Sequence, residues 1–387
     1  MMTEQEHNNV QWRKVKLGEV GEIISGGTPS TTNETFWDGD VLFVTPLDLG
    51  RKNKIDSTLR TISELGVKNS SANKIKAHSL AISTRAPIGL MSIVNQDFTT
   101  NQGCKSIQFY DSYDSEFFYY YLSYNVEKIQ RYGQGTTFME ISKTDFSNLE
   151  FTVPDLSAQR RIAAILSSAD KVIASTQKLI AKYKQMKQGL MEELLKPKEE
   201  WKKVRLGEVG EIISGETPST TNDAFWDGNV LFVTPLDLGR KNKIDSTLRT
   251  ISELGVRNSS ANLIKAHSLA ISTRAPIGLM SIIDVDFTTN QGCKSIQFFE
   301  NQDGMFHFYN LCFNVEHIRR YGQGTTFMEI SKTDFSDLIF PIPDLAEQRR
   351  ISSIFSGIDA KIAAEEKVLE KYTLVKKGLM EKLLNNN

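Results

Sequence analysis

The sequence predicts an α+β protein: two similar strand-rich domains separated by two long antiparallel helices that form a coiled-coil spacer. Three observations carry this. The chain from Trp12 recurs from Trp201 at a constant offset of 189 residues, and Trp12–Tyr110 and Trp201–Phe299 differ at twelve of 99 aligned positions. Within each copy, short β-branched or apolar runs alternate with turn residues, the signature of strands. Each copy then gives way to apolar residues at alternating spacings of three and four, the signature of a helical seam. Repeats of roughly 20–50 residues mark solenoids, so a unit of this length is a whole domain with its connector.

Residues 1–153 are expected to form the first head, 154–199 the first spacer helix, 200–342 the second head and 343–387 the second spacer helix. The opening segment, Met1–Gln11, is polar and lacks the apolar core of a signal peptide. Strands are expected at Val41–Val44, Leu80–Ser83, Leu90–Val94 and Ser106–Phe109, punctuated by Gly26-Gly27, Asp38-Gly39 and Pro87. The aromatic stretch Phe117–Tyr124, continuing to Ile129, reads as one helix with its rings in the core, and Phe306–Ile318 is its copy. Past Pro154-Asp155, which punctuates a helix start, Ile162, Ile165, Ala169, Val172, Thr176, Leu179, Tyr183, Met186 and Leu190 form the seam, and Pro197 stops it. At 1.5 Å per residue, Ser157–Leu195 would run about 58 Å. The second copy, Ala346–Leu384, repeats the pattern with Lys361 and Glu365 interrupting it. One apolar stripe on so long a helix needs a partner, and the simplest is its own copy laid antiparallel.

The copies have diverged unevenly. The spacer helices match at 19 of 39 positions and Asp111–Gln130 keeps eight of twenty, whereas Arg131–Phe146 and Arg320–Phe335 are identical over sixteen residues.

Composition excludes several classes. Lys and Arg number 46 against 47 Asp and Glu, a net charge of -1, so no global basic field points to nucleic acid. Ser157–Lys203 is locally basic, with eleven Lys or Arg against five Asp or Glu, which suits a solvated helix face. No run of eighteen apolar residues predicts a membrane span. Cys104, Cys293 and Cys312 are too few and wrongly spaced for a disulfide framework or a zinc site, and a cytoplasmic location is expected. There is no GxxxxGK[ST] loop, HExxH helix or GxSxG elbow, no lysine completes a nuclease-like set after Pro343-Asp344 and Glu347, and His78 and His267 read as structural. A noncatalytic chain without cofactor or metal is expected.

The polar loops are the positive signal. Ser25–Thr32 combines glycine with hydroxyl donors suited to phosphate oxygens, which marks Thr28 and Ser30 and their copies Thr217 and Ser219. Arg51, Lys52 and Lys54 form a basic cluster repeated as Arg240, Lys241 and Lys243. Arg85, Gln102 and Lys105, with Arg274, Gln291 and Lys294, can pair with guanine or adenine edges. Gln134 and Lys143, with Gln323 and Lys332, complete the candidate set. Any one of these could be a solvated loop; their joint occurrence in both copies points to a nucleic-acid surface.

The chain resembles, along essentially its whole length, the DNA-specificity subunit of type I restriction–modification systems. The motifs that carry the resemblance are Trp12 through Leu17-Gly18-Glu19-Val20, Ser25–Ser30, Gly135–Phe138 through Ile141-Ser142, and Pro154–Ile162 with its copy Pro343–Ile351. The resemblance implies two target-recognition domains, each reading half of a bipartite site in double-stranded DNA. It implies two methyltransferase subunits docked on the helices and restriction/translocase subunits joined to that core. S-adenosylmethionine, ATP and Mg²⁺ would belong to those partners. Two near-identical heads depart from the family's usual pair of different ones, and an interrupted palindrome is the expected target. The differences at Lys74/Leu263, Asn95/Asp284 and Gln96/Val285 are expected to lie off the reading surface. Two alternatives stand beside this reading: a paired-head scaffold for a protein partner, and a DNA-binding regulator that works without a methyltransferase.

Overall fold

In each copy the first strand after the N-terminal segment pairs with the last strand before the long helix, so the head is closed on itself. The computed structural model describes residues 11–133, 140–322 and 329–385. It divides into two compact units, residues 1–177 with 367–387, and residues 178–366. In the first unit β1 (Arg13–Lys16) pairs antiparallel with β10 (Glu150–Val153). Between them lies a five-stranded sheet of β2 (Gly21–Ser25), β4 (Lys54–Ile55), β6 (Ser79–Ser83), β7 (Met91–Val94) and β9 (Cys104–Phe109), in the order β2-β9-β6-β7-β4. A three-stranded sheet orders β5 (Arg60–Ile62), β3 (Trp37–Val44) and β8 (Phe98–Thr100) as β5-β3-β8. The second unit repeats all three sheets with equivalent register.

Side chains alternate across the sheet, and here both faces are covered. In β6, Leu80 and Ile82 enter one core while Ala81 enters the other. The first core lies under the helix Ser115–Tyr124 and takes in Ile162, Ala163 and Leu166 of the first long helix. The second joins the five-stranded sheet to the three-stranded one through Val44, Phe98 and Cys104. Phe117 is fully buried and stacks on Tyr121 at 5.3 Å, so the aromatic stretch is core, as its spacing predicts. The single helix expected to run on to Ile129 is instead two, Ser115–Tyr124 and Val126–Gly133. Asn125 causes the break: its side-chain amide donates to the Tyr121 carbonyl at 2.9 Å, capping the first helix.

The long helices span Leu156–Leu194 and Leu345–Leu384. Asp155 caps the first by accepting from the Ala158 amide at 2.9 Å, a contact of about 1 kcal/mol. Gln159, buried, accepts from the Asp114 amide at 2.9 Å and donates to the Pro154 carbonyl at 2.8 Å, fastening the helix start to its head. Gln348 does the same in the second unit. The seam differs from the expected one. Ile162, Ala169 and Thr176 are buried as expected, but Leu166 and Ile180 are buried where Ile165 and Leu179 are half-buried, and Met186 is exposed. At Leu166 the stripe is displaced because the first turns also pack against the head.

Each unit pairs its two helix segments antiparallel. In the second unit Lys184, Lys187 and Lys198 meet Glu366, Asp359 and Glu347 in that order. In the first, Lys376 meets Asp170 at 2.6 Å, and Leu383 and Leu384 join the core that holds Ile162. The pairs Asp170–Lys376 and Asp359–Lys187 are the same contact with the copies exchanged.

Candidate nucleic-acid interface

The sheet register brings most of the candidate loops of a head to one end. β2 terminates at Ser25 opposite Lys105, β6 terminates at Ser83 opposite Cys104, and β7 begins at Met91 opposite Ile82. β4 lies parallel to β7, so Arg51 and Lys52, which precede it, emerge at this same end. β3 and β8, parallel to each other, also terminate here, and the Asn101 amide donates to the Val44 carbonyl at 3.0 Å. Residues 140–143 join through the Ile141 amide, which donates to the Thr84 carbonyl at 3.0 Å. Five stretches distant in sequence thus form one surface.

At its centre Glu140 accepts from Arg85 Nε at 2.8 Å and lies 3.7 Å from the Lys105 ammonium. Lys105 is buried and also donates to Thr84 Oγ1 at 3.3 Å. Burial pushes its pKa down, while the Glu140 charge opposes that shift. The second unit repeats the arrangement with Arg274, Lys294 and Glu329. Lys105 and Lys294 therefore do not reach a base as the sequence reading expected. They sit under the surface and hold Glu140 and Glu329, which orient the half-exposed Arg85 and Arg274. A guanidinium held along one edge is pre-organised for a planar partner.

Thr28 donates to Gln102, and Thr217 to Gln291, so the loop 25–32 leans on the turn before β9 in both heads. Ser30 pairs with Thr32 at 2.9 Å, and its carbonyl accepts from Trp37 Nε1 at 3.0 Å; Ser219 is held equivalently. Gly26 permits that approach, since a Cβ there would lie 1.9 Å from the Asn101 carbonyl oxygen. Arg51, Lys52, Arg240 and Lys241 are exposed. In the second unit a groove of about 260 Å³ runs beside Arg240 and Lys241 between Leu236 and Leu248. Lys54 is engaged by Glu116 and Lys243 by Asp284, which leaves these two less available than their neighbours. Lys143 and Lys332 are exposed at the first turn of short helices capped by Ser142 and Ser331. Gln134 and Gln323 lie outside the described residues.

His78 and His267 hold turns with φ of 65° and 66°, their amides donating to Val94 and Ile283 carbonyls. Cys104 and Cys293 are free and buried, each thiol pushed up to about 12 by burial. Among the described residues no cluster of His, Cys, Asp or Glu could hold a metal ion, and no helix is long and apolar enough to cross a membrane.

Sequence reasoning missed Glu140 and Glu329. Their signal was present, an acid within the sixteen residues that are identical in both copies, but nothing in the sequence joined it to Arg85. It also passed over the replacement of Gly27 by Glu216 in the second copy. Across residues 25–33, 45–53, 84–90, 101–103 and 140–146, this is the one difference between the heads. Asn95/Asp284 and Gln96/Val285 follow β7 and its copy, at the opposite end of the sheet. Position 74 is nearer: Lys74 pairs with Glu64, and the adjacent Asn73 donates to the Ser25 carbonyl at 3.0 Å.

Comparison with known proteins bears on this surface. The model of the family described as type I restriction modification DNA specificity domain matches residues 9–185 and again 198–373. The type I restriction enzyme MjaIX specificity subunit of Methanocaldococcus jannaschii is 25% identical over 401 residues, covering 96% of this chain and 92% of its own. The EcoR124I/EcoR124II specificity subunit of Escherichia coli is 31% identical over 241 residues, 56% of this chain and 58% of that one. In fold, the chain is similar to the S subunit of the M. genitalium type I restriction–modification system, with a TM-score of 0.65 at 17% identity over 98% of both chains.

Proposed function

Because this chain belongs to the type I restriction–modification DNA-specificity family, as a recognition rather than a catalytic component, we propose that its two heads each read one half of an interrupted palindrome in double-stranded DNA. Residues 1–153 and 200–342 act as the target-recognition domains, and 154–199 and 343–387 as the spacer on which two methyltransferase subunits dock and to which restriction/translocase subunits are joined. The complex works in the cytoplasm, where its DNA is.

One observation carries the palindrome. Every described loop at the basic end of the sheet recurs in the second unit with a single substitution. Equal surfaces read equal bases, and two equal half-sites in inverted order make an interrupted palindrome like the operators of dimeric repressors. Arg85 and Arg274 are the base readers, suited to guanine O6 and N7. Arg51, Lys52, Arg240 and Lys241, with the hydroxyls of Thr28, Ser30, Thr217 and Ser219, take the phosphates. The near-zero net charge fits a chain that shares phosphate attraction with its partners.

Coexpression with its methyltransferase, followed by single-molecule mapping of adenine methylation, tests this directly. A single interrupted palindrome is expected. Two unrelated half-sites would end the symmetry argument, and no methylation would return the scaffold or the independent regulator to the front.

Glu216 sets a second expectation. It is exposed in a loop of donors and adds a negative charge where the first head has Gly27. Glu216→Gly should tighten binding of the assembled complex to its duplex by roughly two- to fivefold, the worth of one exposed charge. Unchanged affinity in a titration at low salt would remove Glu216 from the interface.

A further inference from the structure

We propose that Asp170 and Asp359 are positioning residues that lock each head onto the helix pair and so set the gap between the two half-sites. This rests on the DNA-reading function above. Asp170, on the first long helix, is 21% exposed and gathers donors from three other elements. Tyr120 Oη donates at 2.6 Å from the aromatic helix, Asn53 Nδ2 donates from the loop before β4, and the Lys376 ammonium lies 2.6 Å away on the second long helix. Asn53 is itself fixed, its Oδ1 accepting from Tyr119 Oη at 2.6 Å and its carbonyl from the Ile93 amide at 2.8 Å. It directly follows Arg51-Lys52 at the end of the sheet that meets DNA. One carboxylate thus joins the phosphate-facing loop, the head's core helix and both spacer helices.

The second unit repeats the three contacts on the carboxylate at Asp359, while Phe308 stands in place of the Tyr119 that holds Asn53. Asp359 accepts from Tyr309 Oη at 2.6 Å and Asn242 Nδ2 at 2.5 Å, and meets Lys187 at 2.7 Å. These residues are retained where their surroundings are not. The helices share 19 of 39 positions and the aromatic stretch eight of twenty, yet the Tyr, Asp and Lys of the node are the same in both copies. The nearby pair Lys184–Glu366 shows the contrast: its counterparts in the other copy are Thr373 and Gln177. A head free to pivot on its helix would accept half-sites a base pair nearer or farther. One step along a strand is about 3.4 Å, so a small pivot suffices. Asparagine keeps the size of the side chain but offers one acceptor oxygen where the carboxylate has two, and turns an NH₂ toward donors.

The test is Asp170→Asn with Asp359→Asn in the chain coexpressed with its methyltransferase, read by methylation mapping. The expected result is methylation of the same half-sites at gaps one base pair shorter or longer, rising to within about tenfold of the cognate site. A mere loss of stability would lower methylation everywhere without changing the gap. A gap as strict as in the wild type, or an altered half-site sequence, would overturn the proposal. If that variant does not fold, Lys187→Met with Lys376→Met must relax the gap in the same way. A second measurement stands apart from DNA: spin labels at Ser57→Cys and Gln177→Cys, both exposed positions of the first unit, in a Cys312→Ser background. Their distance distribution should broaden when Asp170→Asn is added, and an unchanged distribution sinks the lock. If the wild-type complex methylates nothing, the DNA-reading function fails, and the labels still decide whether the lock exists.

Discussion

Replacing Arg85 and Arg274 together by alanine is expected to erase sequence discrimination while leaving nonspecific DNA binding in place. Each arginine is held by a glutamate at 2.8 Å, which in turn leans on a buried lysine. A surface arginine serving phosphate alone needs no such support, because phosphate attraction tolerates many rotamers. Fixed orientation serves a bidentate partner. Loss of one bidentate base contact costs about 1–3 kcal/mol of discrimination, so two heads stand to lose roughly twice that. Competition titrations of the assembled complex, cognate duplex against a scrambled one, would read the change. Arg51→Ala with Arg240→Ala is the control, expected to weaken both duplexes alike and to flatten the salt dependence by about one per phosphate lost. If the Arg85 and Arg274 pair behaves like that control, these residues serve the backbone only. Binding that is flat in salt and indifferent to all four would favour the protein-scaffold alternative.

The second unit should lose stability in acid that the first retains. His307 stands where the first head has Phe118, buried and stacked on Phe298 at 5.1 Å as Phe118 packs on Phe109 at 4.9 Å. Its ring approaches Gln302 at 2.9 Å, but burial still pulls its pKa down to about 4. In the unfolded chain the pKa is about 6.5, so between these values the unfolded state binds a proton that the folded state refuses. Stability is therefore full above about pH 6.5 and falls as pH drops toward 4. That difference in proton affinity is worth roughly 3–4 kcal/mol. Denaturant melts of the full chain at pH 7 and pH 4.5 should show this loss, and His307→Phe should abolish it because the first head already packs that residue. Identical pH dependence in the variant and the wild type would place the acid sensitivity elsewhere.

Much of the architecture was legible because its signals are local or periodic. The strand runs and the long helices follow from side chains a few residues apart, the repeat from direct alignment of the two copies, and strands, helices and repeat all appear in the structure. Two expectations failed where tertiary contacts outweighed a pattern. Asn125 splits the aromatic helix because its amide caps the Tyr121 carbonyl, which a hydrophobic period cannot register. The seam shifts to Leu166 because the first turns of the helix must satisfy a head as well as a partner.

The candidate surface divides along the same line. Residue type alone identified Arg85, Gln102 and Thr28 as donors, and duplication marked their loops. That Lys105 would be buried beneath Arg85, with Glu140 between them across 35 residues of chain, depended on how β6 and β9 register. Side-chain chemistry and periodicity are properties of neighbours along the chain, and they were enough for the two-headed, helix-linked plan and a pool of candidate DNA-binding residues. Which of those residues face outward, which are held in place, and which carboxylates hold them are properties of neighbours in space. Strand register and burial set these, and both exist only once the chain has folded.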